Sequence, residues 1–116
     1  MQAQLERGVQ GNPGASGRRQ VAVPAGVVLR LLVRNHPGVM SHICGLFARR
    51  AFNVEGIVCL PADDVAGGAR SVVLLLVNKD QRLEQLVRQL AKLEDVLEIG
   101  HDAGGNAAFT AVAGCL

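Results

Sequence analysis

The sequence predicts an α+β domain: a four-stranded antiparallel sheet with two helices on one face. Three observations predict it. Four short runs rich in Val, Leu and Ile have strand length, and two further stretches carry an apolar period near 3.6 residues. These runs follow one another in the order β-α-β-β-α-β. At 116 residues the chain holds one domain and not two. Two right-handed β-α-β halves in that order interleave into the ferredoxin-like arrangement.

Each element has its own signal. Residues 1–25 are rich in Gly, Gln, Ala and Arg without a hydrophobic period, and read as a disordered N-terminal extension. The domain spans residues 26–102. Its first strand is the β-branched and Leu-rich run Val27 to Val33. Val39, Ile43, Leu46 and Phe47 then recur at helical spacing, with Met40 and Cys44 beside them and Ser41, His42, Arg49 and Arg50 opposite. Pro37 suits the first helical position, where no N–H is needed. Arg49 and Arg50 suit the negative end of the helix dipole.

Val54 to Leu60 is the second strand, expected to stop at Pro61. The loop Ala62 to Ala69 holds the turn residues Asp63-Asp64 and Gly67-Gly68. Ser71 to Val77 is apolar at almost every position, as in a central strand. Asp80 is placed to cap a second helix, whose buried stripe is Leu83, Leu86, Val87, Leu90 and Ala91. Asp95 to His101 is the fourth strand. Residues 103–116 form a Gly- and Ala-rich C-terminal tail, and its run Ala107 to Ala113 is expected to add a weak edge strand. Strands two and three are apolar on both sides, yet helices cover one face only. Strand two also falls at a sheet edge with unpaired backbone groups. Both features point to a homodimer.

Composition excludes several classes. Apolar residues are 49% and aromatics only 3%, so Leu, Val, Ile and Ala must build the core. A net charge of +2, carried by scattered basic residues, argues against a nucleic-acid partner. No aromatic platform is left over for stacking bases. No apolar run is long enough to span a membrane. Cys44, Cys59 and Cys115 are odd in number and lack CxxC spacing; with no signal peptide they read as reduced thiols of a cytoplasmic protein. His36, His42 and His101 have no metal-ligand spacing, and Glu55 and Asp63-Asp64 form no catalytic acid pair.

The most informative segment is Arg34-Asn35-His36-Pro37-Gly38-Val39-Met40. A strand runs into an Asn-x-Pro-Gly turn and a helix starts at once. The unpaired N–H groups of that first turn converge on one spot, which suits the carboxylate of a small ligand. Gly38 lets the backbone approach without a Cβ in the way. N–H groups around Gly38, Val39 and Met40 can donate to the carboxylate, and the Asn35 amide can accept from an ammonium. The same turn also serves as an ordinary helix entry.

Two long ungapped blocks carry a family resemblance. Val33 to Met40 followed by Cys44-Gly45-Leu46-Phe47-Ala48-Arg49-Arg50-Ala51-Phe52-Asn53-Val54-Glu55-Gly56-Ile57 resembles the regulatory (small) subunits of acetohydroxyacid synthase, also called acetolactate synthase. Val77 to Gln85 and Lys92-Leu93-Glu94-Asp95-Val96 are similar to the short isozyme I form of enterobacteria. The likeness covers roughly residues 27–101. It implies an ACT domain, which has the βαββαβ order read above. It implies a non-catalytic chain that binds and activates the catalytic large subunit and confers feedback inhibition by valine in branched-chain amino-acid biosynthesis. Thiamine diphosphate, magnesium and FAD are then expected in the catalytic subunit, with no cofactor in this chain. The effector site implied is Asn35, His36, Pro37, Gly38, Val39 and Met40, joined across the dimer by Asn53 and Ile57. Alternation along strand two puts Asn53 and Ile57 on one face.

Two other classes stay open. A stand-alone amino-acid-sensing ACT protein would have another target. An acylphosphatase-like enzyme would share the fold; Gly8-Val9-Gln10-Gly11 resembles the phosphate loop of those enzymes, and Arg34 lies in the right region, but no helix-forming run follows the fragment.

Overall fold

The computed structural model describes residues 20–62, 69–102 and 104–116. Its elements run β1 (Val27–Arg34), α1 (Val39–Arg49), β2 (Val54–Ala62), β3 (Arg70–Val77), α2 (Leu83–Ala91), β4 (Val96–His101) and α3 (Gly105–Gly114). The strands form one antiparallel sheet in the order β2-β3-β1-β4. This is the expected βαββαβ fold with a helix added at its end. Most of the predicted extension, including Gly8 to Gly11, and the turn residues Asp63-Asp64 and Gly67-Gly68 lie outside the described residues.

The core follows from strand alternation. Leu29, Leu31 and Val33 of β1 and Val73, Leu75 and Val77 of β3 are fully buried under α1 and α2. Val39, Ile43, Leu46 and Phe47 close this layer from α1, and Leu83, Leu86 and Leu90 close it from α2. The expected Asp80 cap is corrected: Arg82 is the N-cap residue of α2 and no side chain caps the helix, while Asp80 closes the turn that precedes it. The Asp80 carboxylate accepts the Arg82 N–H at 2.7 Å and its carbonyl accepts the Leu83 N–H at 2.9 Å. Helix α1 ends through Ala51, which adopts φ 53°, and the Phe52 N–H returns to the Phe47 carbonyl at 2.9 Å.

Three further expectations are corrected. The tail is not an edge strand: Gly105–Gly114 is helical and lies on the sheet face opposite α1 and α2, where Phe109 packs on Val28 and Leu76. Its Ala-rich run favours helix over strand by intrinsic propensity. Close approach depends on glycines. A Cβ on Gly105 would overlap the Val28 side chain, and one on Gly56 would come within 2.8 Å of the Phe109 ring. This helix also answers part of the apolar second face from within the chain. Pro61 does not stop β2, which continues to Ala62. On an edge strand a missing N–H can face solvent, so proline is tolerated there. Finally, the pairing of β2 with β3 slips between Val54 and Gly56. That bulge reverses the alternation, so the two-residue period linking Asn53 to Ile57 does not hold. Val54 packs on the helix-side core, and Ile57, paired with Leu75, shares that side.

Candidate functional site

The turn between β1 and α1 is built from backbone outward. Gly38 is the N-cap residue of α1, with φ 94° and ψ −13°, a left-handed conformation that favours glycine. Nothing lies within 4 Å of the place a Cβ would occupy there, so the backbone is open to an incoming group. No side chain caps the helix. The first intrahelical bond runs from the His42 N–H to the Gly38 carbonyl at 3.1 Å, so the N–H groups of Met40 and Ser41 belong to the unpaired first turn. The Val39 N–H is already used: it donates to the His36 carbonyl at 3.3 Å. Asn35, His36 and Pro37 are exposed, whereas the Val39 side chain is buried in the core and Met40 is half-buried.

The turn is tied on both sides. The Asn35 N–H donates to the Ala69 carbonyl at 3.1 Å, and the Arg34 N–H donates to the Asp95 carbonyl at 2.9 Å. His36 clamps it further. Its Nδ1 lies 2.6 Å from the Pro37 carbonyl and its Nε2 lies 2.8 Å from the Asp95 carboxylate. A carbonyl can only accept, so Nδ1 carries a proton. These two acceptors raise the His36 pKa, the Pro37 carbonyl more than Asp95. The hydrogen bond from His36 in turn holds the Asp95 carboxyl below its usual range. His42 Nδ1 stands 3.6 Å from the same carboxylate. Asp95 was not among the predicted site residues. It lies 59 positions from His36 in the chain, and no local pattern links the two.

The remaining predicted residues lie elsewhere. The strand register sets Arg34 beside Arg70 and Arg70 beside Ala62, while Val27 and Val54 both pair with Val77. The turn therefore sits at one end of the sheet and Asn53 at the other, roughly 23 Å away at strand rise. Within one chain they do not meet. Asn53 is exposed, and its amide donates to the Glu55 carboxylate at 2.7 Å. Ile57 is 44% exposed on the edge strand β2.

A family model described as the AHAS small subunit-like ACT domain matches residues 29–98. The chain belongs to this family. The match takes in the whole turn, Asn53, Ile57 and Asp95. Among curated relatives, the acetolactate synthase isozyme 1 small subunit of Escherichia coli (strain K12) is 56% identical over 87 residues, spanning 75% of this chain and 88% of that protein. The acetolactate synthase small subunit of Haemophilus influenzae is 38% identical over 72 residues, spanning 62% of this chain and 43% of that protein. Among solved structures, the acetolactate synthase small subunit from Thermotoga maritima superposes with a TM-score of 0.54 at 31% identity, over 69% of this chain and 49% of that one.

For an ACT domain of this family, the other clefts are of a different kind. One of about 270 Å³ lies between the end of α1 and the start of α2. There Arg82 sits over the Phe52 ring at 5.0 Å, donates to the Arg50 carbonyl at 2.9 Å and pairs with Asp80 at 3.1 Å. These contacts fasten the two helices to each other. Among the described residues, no group of three or more His, Cys, Asp or Glu is placed to hold a metal ion. No helix among them is long and apolar enough to cross a membrane.

Proposed function

We propose that this chain is the regulatory subunit of an acetolactate synthase of branched-chain amino-acid biosynthesis. In this reading it binds and activates the catalytic large subunit and confers feedback inhibition by valine. It performs no chemistry itself; thiamine diphosphate, magnesium and FAD belong to the catalytic partner. Membership of the small-subunit family supports the partner. The open helix start at Gly38 carries the effector reading, because it presents first-turn N–H groups to a carboxylate without a capping side chain in the way.

The sheet topology favours a homodimer paired along β2. An antiparallel β2–β2 contact sets Val54 of one copy near Ala62 of the other. Asn53 then approaches the partner's β1–α1 turn, although it is a sheet length away from its own. Ile57, exposed at the edge on the helix side, lies along the same seam. The ligand carboxylate rests on the helix start, its ammonium near Asn35 or the other copy's Asn53, and its isopropyl group against Ile57.

The test is reconstitution with the purified large subunit. Wild-type chain is expected to raise acetolactate formation, and valine to reverse that. Gly38→Asp places a carboxylate where the ligand's belongs. Each charge-assisted bond lost costs about 1.5–3 kcal/mol, so valine affinity falls roughly ten- to a hundredfold while activation survives. Calorimetry that finds normal valine binding to Gly38→Asp overturns the site. Activation that disappears together with valine binding overturns the division between sensing and activation.

A further inference from the structure

The sheet has a second face that α3, joined by Val23 of the segment before β1, covers at one end only. Alternation places Arg30, Leu32 and Arg34 of β1 on this face, because Val28 of the same set packs under Phe109. The register adds Val72 beside Leu32 and Leu74 beside Arg30 from β3, then Leu60 and Val58 from β2. Leu60 is 62% exposed, and Val58, Val72, Leu74 and Leu32 are half-buried. These five side chains form a continuous apolar patch in two neighbouring rows of the sheet.

The border of the patch is basic. Arg30 is exposed within it, and Arg34 and Arg70 stand side by side at its far end. There they line an open cleft of about 380 Å³ together with His36, Ala69 and Leu97. Glu98, opposite Leu32, and Glu55, which lines a cleft with Phe109 and Leu76 at the other end, are the acids that the described strands add to this face. Arg30 and Arg34 make no ion pair among the described residues. Two copies meeting through this face would bring like charges together, which costs binding energy. The charge therefore selects a different surface, apolar at its centre and carrying carboxylates at its edge.

We propose that this open sheet face docks the catalytic subunit, with an apolar patch of that subunit on Val58, Leu60, Val72, Leu74 and Leu32 and its carboxylates at Arg30 and Arg34. The proposal rests on the reading of the chain as a regulatory subunit. It also gives the effector turn a route to the partner. Arg34 leads directly into Asn35 and the turn, and His36 lines the cleft while holding the Pro37 carbonyl. A ligand at the helix start and a carboxylate at Arg34 act on the same few residues from two sides.

The experiment measures affinity of the full-length chain for the purified large subunit at two salt concentrations. Arg30→Glu and the pair Arg30→Glu/Arg34→Glu are compared with Arg88→Glu, an equal charge change on α2. Arg30→Lys and thermal melting check that the fold is intact. The pair variant is expected to bind at least about tenfold more weakly and to lose most of the salt dependence. Arg88→Glu is expected to stay within about twofold of wild type, and Arg30→Lys to keep most of the binding. Equal losses from Arg88→Glu and Arg30→Glu, or wild-type binding by a folded pair variant, overturn the docking face while leaving the regulatory reading in place. No binding by wild type overturns both. Two results assign the face to another occupant and also overturn the proposal: wild-type sedimentation beyond a dimer that Arg30→Glu abolishes, or at least tenfold tighter capture after residues 1–19 are removed.

Discussion

The two faces of this sheet are made from the same apolar residue types and have different fates. On the helix side, Leu29, Leu31, Val33, Val73, Leu75 and Val77 lose all contact with water beneath α1 and α2. On the other side, Val28 and Leu76 alone among strand residues are fully covered, by Phe109 of α3, and Leu60 stays 62% exposed. Hydrophobic content alone therefore does not say which face holds the fold together. What differs is the covering layer: two helices that bury four and three side chains on one side, against a single helix of similar length that rests on one ring. The helix side supplies stability, and the open side has apolar area left for another molecule.

That contrast is broken or sharpened most strongly by paired truncations on β3. Leu75→Ala leaves a cavity under the helices and is expected to destabilise the fold by about 3–5 kcal/mol. Leu74→Ala, its neighbour on the open face, is expected to cost about 1 kcal/mol, because its side chain is still partly in water. Urea denaturation of both variants makes the comparison. Equal costs would mean that the open face is closed in solution by something the chain itself supplies.

A smaller effect is expected from Phe109→Ala. The ring is the anchor of α3 and is 8% exposed, but it packs against one thin cluster and not a two-sided core. The expected cost is about 2 kcal/mol, less than for a fully enclosed Phe. Amide hydrogen exchange is expected to rise throughout Gly105–Gly114 while β1 and β3 stay protected. Protection of α3 in the variant would mean that contacts other than the ring hold it.

The contrast between the faces also explains which parts were legible in the sequence. The helix-side core follows from periodicity in α1, where Val39, Ile43, Leu46 and Phe47 repeat at 3.6, whereas Val72 to Val77 is apolar throughout and its helix-side residues are set by the register with β1. The turn was legible because Gly38 carries backbone chemistry in its identity and does adopt the left-handed conformation; Pro37 lies one residue before this N-cap and not at the first helical position. The open face was read less well. Ala107 to Ala113 is apolar on all sides, so its pattern has no period, and propensity rather than hydrophobicity decided for helix. Proline usually ends a strand, but at an edge its missing N–H costs no ladder bond, so β2 runs through Pro61 to Ala62. The bulge near Glu55 leaves no mark in residue type, yet it reversed the side assigned relative to Asn53. Asp95 escaped notice for a different reason: its contact with His36 is made by the fold bringing β1 and β4 together.

The smallest expected effect belongs to that pair, and pH exposes it. The Pro37 carbonyl first, and Asp95 second, raise the His36 pKa above its ordinary 6.5. The stability this contributes is complete below pH 6.5 and is lost as pH rises through the raised value. Asp95 runs the other way. Its pKa is lowered below 3.8, chiefly by the hydrogen bond from His36, so its contribution is present above pH 3.8 and is lost as pH falls through the lowered value. The tie between the effector turn and the start of β4 is therefore complete between pH 3.8 and 6.5. His36 is 40% exposed at its side chain, so water and salt screen the pair and its effect on melting is slight. The sensitive readout is NMR titration of the His36 ring. Wild type is expected to titrate above 6.5. Asp95→Asn is expected to lower that value without bringing it fully back, because the larger acceptor, the Pro37 carbonyl, remains. An unshifted wild-type ring would mean that the turn is not clamped by His36. A full return to the ordinary value in Asp95→Asn would mean that the carboxylate, rather than the Pro37 carbonyl, does the clamping.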